Sequence, residues 1–371
     1  MSLVRIPIYK PFIGELERKY LLEAFDSGWI STRGDFIDRA EDGFAKLIGS
    51  KYAITVSNGS VACQLAIEAL NLPPNSDILC PAMTFIATAN AIKHAHHNVI
   101  LCDVNETDWN ISIDDCKQKM TNKTAGIMPV HLYGQPANMD ELIDFANDNE
   151  LYIIEDACEA IGAKYKDYYC GTSGHSGAFS YWGNKSLTAG NAGMIVTDSE
   201  ETADKVKSLK GQGVDKSGHP YSHDIIAYNG RLSNLLAAIL VAQIERYDEI
   251  MTEKTRVYNY YKNSFSEFMQ KENRGAYQSS FTHGGWMTSL KLPTEEVALL
   301  VKKNLLDSGI DTRPNFVCLY RLPPYKADPS LFPNCEKIAN KIICLPSYPA
   351  LKEVELEEIC QIIDKTIKTT L

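Results

Sequence analysis

Tyr52-Ala53-Ile54-Thr55-Val56-Ser57-Asn58-Gly59-Ser60 is the stretch on which the fold turns. A short β-favouring run stops at a Ser-Asn-Gly-Ser turn, and Val61–Leu70 then takes up helical spacing, so the reading is strand, tight turn, helix. Such a turn presents free backbone N–H groups and the positive end of a helix dipole at the C-terminal edge of the strand, where a phosphate binds. Many strand-to-helix turns carry Gly and Ser for conformational reasons alone. The turn gains meaning only from what surrounds it.

Working outward, the same alternation recurs. On the N-terminal side lie a helix around Glu15–Ser27 and a segment, Ser31–Ser50, with helical spacing at Phe36, Ile37, Ala40, Phe44, Ala45 and Leu47. On the C-terminal side come strand Asp77–Cys80, helix Ala87–His94, strands Val99–Cys102 and Gly126–Val130, helix Asp140–Asp148 and strand Leu151–Glu155. This order predicts a mainly parallel, doubly wound α/β sheet. From about Asp204 the strands thin out, and one long helix is expected from Asn234 to Phe268. Beyond it come a strand near Met287–Leu292, a helix Thr294–Ser308, a Pro-rich run Arg313–Tyr325 and a final helix Glu353–Thr369. The domain boundary is placed inside the long helix, giving a large domain 1–245 and a smaller α+β domain 246–371, with Lys271–Gly275 the most linker-like composition.

The chain has 371 residues, 44% hydrophobic and 23% charged, enough for a full core and too many for one small domain. No run of eighteen apolar residues occurs and the first twenty residues are already charged, so a soluble, cytoplasmic protein without a membrane span is expected. The ten cysteines form no C-x-x-C pair and read as reduced, mostly structural thiols; no metal site is expected. A net charge of -10 argues against a general nucleic-acid binder, whose phosphate contacts need clustered Lys and Arg.

Two further stretches carry chemistry. Asp156 ends the apolar run Leu151–Ile154, so its carboxylate projects from a strand's C-terminal end, where open α/β sheets bind ligands. Lys185 stands in Gly177-Ala178-Phe179-Ser180-Tyr181-Trp182-Gly183-Asn184-Lys185-Ser186-Leu187-Thr188-Ala189-Gly190, flanked by aromatic residues and glycines. That setting suits a confined lysine whose amine attacks an aldehyde. A surface lysine is the commoner use of any single Lys. An anion at Asp156, an amine at Lys185 and a phosphate cradle at Gly59 and Ser60, with Ser180 able to add a hydroxyl and Phe85 able to stack on a ring, together suit pyridoxal phosphate. No G-x-G-x-x-G follows the first strand, which disfavours a dinucleotide fold.

The segments Trp29-Ile30-Ser31, Ser57–Ser60, Pro81–Thr88, Pro129–Gln135, Glu155–Ala160, Ser180–Lys185, Tyr228-Asn229-Gly230-Arg231, Arg313-Pro314 and Leu345-Pro346-Ser347 resemble, in order, the motifs of the DegT/DnrJ/EryC1/StrS sugar aminotransferases. The resemblance spans nearly the whole chain and is nearest to the perosamine-type C4 aminotransferases of 4-keto-6-deoxy sugar nucleotides. It implies an aspartate-aminotransferase-like fold type I homodimer with shared active sites. Lys185 would then hold the cofactor as a Schiff base, with Asp156 pairing the pyridinium and Glu159 beside the ring hydroxyl. Phe85 would stack on the ring, Gly59, Ser60 and Ser180 would hold the phosphate, and Asn229 would reach the phosphate of the other subunit. Trp29, Ser31, Arg231, Arg313, Tyr320 and Arg321 are the expected substrate contacts. The implied reaction moves an amino group from L-glutamate, through pyridoxamine phosphate, to C4 of a nucleotide-linked 4-keto-6-deoxyhexose for deoxyamino-sugar, polysaccharide or O-antigen biosynthesis. A keto- or aldehydo-sugar without a nucleotide and a non-catalytic protein of the same fold are the alternatives. Where relatives read T-G-E-G-G this chain has Ala189-Gly190-Asn191-Ala192-Gly193, and it has Val317–Arg321 where relatives carry histidines.

Overall fold

The computed structural model describes residues 4–214, 219, 221–271 and 281–370. In chain order its elements begin α1 (Glu15–Asp26), α2 (Asp35–Ile48), β1 (Tyr52–Val56), α3 (Gly59–Glu68), β2 (Asp77–Pro81), α4 (Ala87–His94), β3 (Asn98–Cys102) and α5 (Ile113–Lys119). They continue with β4 (Thr124–Ile127), α6 (Met139–Asp148), β5 (Tyr152–Asp156), the short β6 (Lys164–Tyr165) and β7 (Tyr168–Tyr169), β8 (Ser176–Ser180), β9 (Gly193–Thr197) and α7 (Glu200–Lys210). The C-terminal part holds α8 (Asn234–Glu245), α9 (Tyr247–Phe265), β10 (Phe281–Thr282), β11 (Thr288–Lys291), α10 (Glu295–Asp307), β12 (Arg313–Pro314), α11 (Pro333–Ile338), β13 (Ile342–Leu345) and α12 (Glu353–Thr370).

Seven strands form the central sheet in the order β1-β9-β8-β5-β4-β2-β3. The run from β8 through β5, β4 and β2 to β3 is parallel, while β9 pairs antiparallel with both β8 and β1. Side chains alternate across this sheet with period two. Ile54, Val56, Ile78, Cys80, Ile154, Ala178 and Ile195 pack in one core with α3, α4 and α7. Their neighbours Leu79, Ile127 and Ile153 pack with α5 and α6, and Ala53, Phe179, Met194 and Val196 with α2 and α8. A strand buried on both faces needs apolar residues at every position, which is why these strands read as short continuous apolar runs.

The helix ends follow from local chemistry. Asn58 caps α3 by accepting the Val61 N–H at 3.0 Å, and such a cap stabilises by about 1 kcal/mol. Gly49 ends α2 with φ 77°, a left-handed conformation that favours glycine.

One expectation needs correction. The expected single helix Asn234–Phe268 is two helices, because Arg246 adopts φ -95°, ψ 14° and breaks the ladder. Its guanidinium reaches back to Glu17 at 2.7 Å and pairs with Glu249 through both carboxylate oxygens at 2.9 Å. Residues 266–268 form a separate single turn. The strands β8 and β9 were not foreseen as strands.

A second sheet, β11-β13-β12, is antiparallel and packs with α9, α10 and α12 around Val257, Leu290, Val301, Leu345 and Ile359. Ile6 lies in this same core and bridges to Ile310, so an N-terminal strap crosses to the C-terminal part. Most of the linker-like stretch Lys271–Gly275 lies outside the described residues. No helix among the described residues is long and apolar enough to cross a membrane.

Candidate active site

The C-terminal ends of β5 and β8 and the N-terminus of α3 meet at a cavity of about 890 Å³. Among its lining residues are Gly59, Ser60, Phe85, Thr88, Asp156, Cys158, Glu159, Ser180, Asn184, Lys185, Trp286 and Phe316. Residues scattered from position 59 to position 316 thus converge on one space at the edge of the sheet where ligands are expected.

Asp156 is buried at the last position of β5 and is already oriented. Thr88 Oγ1 donates to its Oδ2 at 2.8 Å, and the Cys158 N–H donates to its Oδ1 at 3.1 Å. Below it, Glu155 anchors the strand end by accepting from the N–H groups of Gly171, Ser173 and Gly174 and by bonding His131 at 2.9 Å. Glu159 is buried too, and accepts the Tyr133 N–H at 2.8 Å. Burial pushes its carboxyl up to about 7, against the opposing effects of Lys185 and the Tyr133 N–H and with the help of Asp156. The holder, Tyr133, sits at φ 58°, a conformation uncommon for a bulky residue and stored in the Leu132–Gly134 turn.

The phosphate end of the cavity is set by a close approach of backbones. A Cβ on Gly59 would lie 2.5 Å from Ser180 Cβ, 2.8 Å from its Oγ and 3.2 Å from Cys158 Sγ, so only glycine fits there. Ser60 is exposed beside it at the start of α3, and Ser180 ends β8. Phe85 is 52% exposed with its ring 5.6 Å from that of Phe316, an aromatic face still available to a ligand. Lys185 follows β8 in a turn closed by its own N–H donating to the Trp182 carbonyl at 2.9 Å. Its Nζ stands 3.8 Å from the centroid of the Trp286 ring.

These residues fit pyridoxal phosphate. A cradle that a methyl group would fill lies at one end, a fixed carboxylate at Asp156 and an amine at Lys185 line the same space, and the buried Oδ1 of Asn184 has no partner among the described residues.

Seven of the sequence-predicted residues do not line this cavity in the single chain. The carbonyls of Trp29 and Ser31 are tied to Asn234 at the start of α8. Asn229 is exposed, and its Oδ1 accepts from Arg231 Nε at 3.1 Å. Arg313 pairs with Asp311 at 2.8 Å. Tyr320 is buried, stacked on Phe332 at 4.3 Å, and donates to Glu336 at 2.6 Å. Arg321 spends its guanidinium on the same Glu336 at 2.7 Å and on Asn340 at 3.0 Å.

Other lining residues went unnamed at the sequence level. Thr88 lies inside a quoted motif, three residues past Phe85, but the hydroxyl's aim at Asp156 is a tertiary fact. Cys63 and Cys158 approach within 3.8 Å at the cavity wall, a meeting of residues 95 positions apart that no local pattern marks. Contact with Cys63 raises the Cys158 thiol, and burial raises it further. Trp286 comes from 101 residues beyond Lys185 and carried no local signal.

The model of the DegT/DnrJ/EryC1/StrS aminotransferase family matches residues 11–364. The GDP-perosamine synthase of Escherichia coli O157:H7 is 38% identical over 362 residues, covering 97% of this chain and 98% of that protein. The GDP-perosamine synthase of Vibrio cholerae is 38% identical over 365 residues, covering 96% and 98%. Among solved structures, a proposed sugar aminotransferase of Streptococcus pneumoniae in its PMP form superposes with a TM-score of 0.92 at 20% identity, covering 99% of this chain and 100% of that one. With the cavity, its anchored acid and its lysine at the sheet edge, and with the family's model running almost end to end, this chain belongs to the DegT/DnrJ/EryC1/StrS aminotransferase family.

Proposed function

We propose that this protein transfers the amino group of L-glutamate to C4 of a nucleotide-linked 4-keto-6-deoxyhexose, of the GDP-perosamine or dTDP-4-amino-4,6-dideoxyhexose type. The protein is a PLP-dependent aminotransferase. What carries the choice of sugar is the 38% identity to two GDP-perosamine synthases over nearly the full length of both partners.

Pyridoxal phosphate supplies an electron sink that lets a proton leave the carbon bearing nitrogen. The chain supplies the rest. Lys185 would provide the amine that holds the cofactor and, once free, the base that moves a proton between cofactor and substrate carbons, since it lines the same cavity. Asp156, fixed by Thr88 and the Cys158 N–H, keeps a proton on the ring nitrogen. Glu159 would face the ring hydroxyl, Phe85 would stack on the ring, and Gly59, Ser60 and Ser180 would receive the phosphate.

Asn229 belongs to the same proposal as a phosphate ligand given to a second subunit, which makes the working unit a cytoplasmic homodimer. Its exposure and its absence from its own chain's cavity lining support that role. Trp29, Ser31, Arg231 and Arg313 are proposed to meet the sugar nucleotide across the same junction. Tyr320 and Arg321 stand outside it, because Glu336 already occupies both.

A panel of GDP-, dTDP- and UDP-linked 4-keto-6-deoxy sugars, with glutamate as donor and mass detection of the amine, tests the assignment. Amination of one of these is expected, and a full-length protein that ignores all of them but aminates a free keto- or aldehydo-sugar refutes it. Sedimentation tests the dimer, and a fully active monomer refutes that part.

A further inference from the structure

Lys185 makes no ion pair among the described residues, yet its amine is not loose. Its Nζ rests 3.8 Å from the centroid of the Trp286 ring, a cation–π distance. The ring is held at its edge and on its face, and the residue's backbone is anchored as well. Its Nε1–H donates to the carbonyl of Asn184, the residue before Lys185, at 2.8 Å. Its face stacks on Tyr133 with centroids 6.1 Å apart and planes 20° apart. Its backbone carbonyl accepts from the buried Lys254 Nζ at 2.8 Å, which also donates to the Ser347 carbonyl at 2.6 Å. Trp286 is 5% exposed, so the indole cannot swing away without breaking its contacts with Asn184 and Tyr133.

We propose that Trp286 is a positioning residue for Lys185: its indole face holds the ε-amine whenever that amine is not covalently bonded to the cofactor. The proposal rests on the reading of Lys185 as the cofactor-bonding lysine. A lysine stem has many rotamers, and the second half of a transamination needs the freed amine close to the reacting carbons. Once the amine has taken up the proton it is to pass on it is an ammonium, and a cation–π contact of this kind then favours one position over the others by about two- to thirtyfold. Because Trp286 also donates to Asn184 and touches Tyr133, whose N–H holds Glu159, the ring ties the lysine turn and the acid wall to one support.

The test uses the full-length protein loaded with pyridoxamine phosphate, so that Lys185 is free, and labelled with carbon-13 at lysine Cε. One lysine signal displaced upfield by the indole ring current is expected. It should be missing in Lys185→Ala, lost in Trp286→Leu and kept in part by Trp286→Phe. In single-turnover amine transfer to the keto substrate, Trp286→Leu should be slower by about two- to thirtyfold, with pyridoxamine phosphate affinity unchanged and Trp286→Phe closer to wild type. Absence of any displaced lysine signal in the wild type overturns the proposal even if Trp286→Leu fails to fold. Equal losses of rate and of cofactor affinity in both variants overturn it as well, since they mark a merely structural ring. Borohydride reduction and peptide mapping read the attachment site separately: a cofactor fixed to another lysine defeats the underlying reading, whereas a cofactor on Lys185 without the indole contact defeats this proposal alone.

Discussion

Gly59→Ala is the smallest change that should damage the cofactor site, and its size can be worked from the structure. The added methyl would sit 2.5 Å from Ser180 Cβ and 2.8 Å from its Oγ. Non-bonded carbons settle at about 3.5–4.0 Å, so something must give by about 1 Å. Ser180 Cβ belongs to a strand paired on both sides, β5 and β9, and cannot yield like the tip of a flexible side chain. The first turn of α3 therefore moves, and it carries the N–H groups proposed to receive the phosphate. Overpacking of this kind costs about 1–3 kcal/mol of stability, and a misplacement of about 1 Å costs on the order of a hundredfold where geometry matters. Gly43→Ala is the control, since its Cβ would meet only Ile244 Cγ2 at an ordinary 3.5 Å in the middle of α2. It should be neutral or stabilising by roughly 0.5–1 kcal/mol. The assays are urea denaturation and titration of cofactor absorbance. Wild-type cofactor affinity and an unchanged denaturation midpoint in Gly59→Ala would refute the reasoning.

Asp156→Asn should weaken cofactor binding and slow both half-reactions, read by stopped-flow absorbance, because an amide cannot hold the ring proton; an unchanged glutamate half-reaction would place Asp156 elsewhere. Glu159 titrates near 7 in the folded, cofactor-free protein against its usual 4.5. A raised carboxyl binds its proton more tightly when folded, so stability is lost as pH rises from about 4.5 to about 7, by up to roughly 3 kcal/mol. Glu159→Gln should flatten that slope in denaturation curves taken across the window. Arg321→Ala should leave the KM for the sugar nucleotide unchanged and cost about 1 kcal/mol or less, since it removes a partly exposed pair with Glu336; a raised KM in steady-state kinetics would bring Arg321 back to the substrate.

How much of this was readable beforehand depended on whether the signal was local. Helix α4 has the predicted limits, Ala87–His94, and β1 has the predicted Tyr52–Val56, because periodicity and turn residues mark both ends. The break at Arg246 was hidden: helix formers run through it, and the partner that pulls it out, Glu17, lies 229 residues away. β8 escaped because its Ser-Gly-Ala-Phe-Ser run has little strand propensity, whereas the Met194–Val196 run of β9 was legible and was overlooked. In the site, Asp156 could be placed from the fold alone, because it ends a strand legible in the sequence, whereas Ser180 was placed only by its nearness to Lys185. Trp286 could not, since a lone Trp near a strand is ordinarily core. Tyr320 and Arg321 show the reverse: nearness in sequence to Arg313-Pro314 says nothing of which way a chain turns, and here it turns toward Glu336.

Every role proposed for the site depends on which lysine carries the cofactor. Reducing the cofactor-loaded protein with borohydride, digesting it and mapping the modified peptide by mass spectrometry answers this without any knowledge of the sugar. The label is predicted on Lys185, within the peptide that contains Ser180-Tyr181-Trp182-Gly183-Asn184-Lys185. A label on any other lysine, or none in a protein that plainly holds the cofactor, would contradict it.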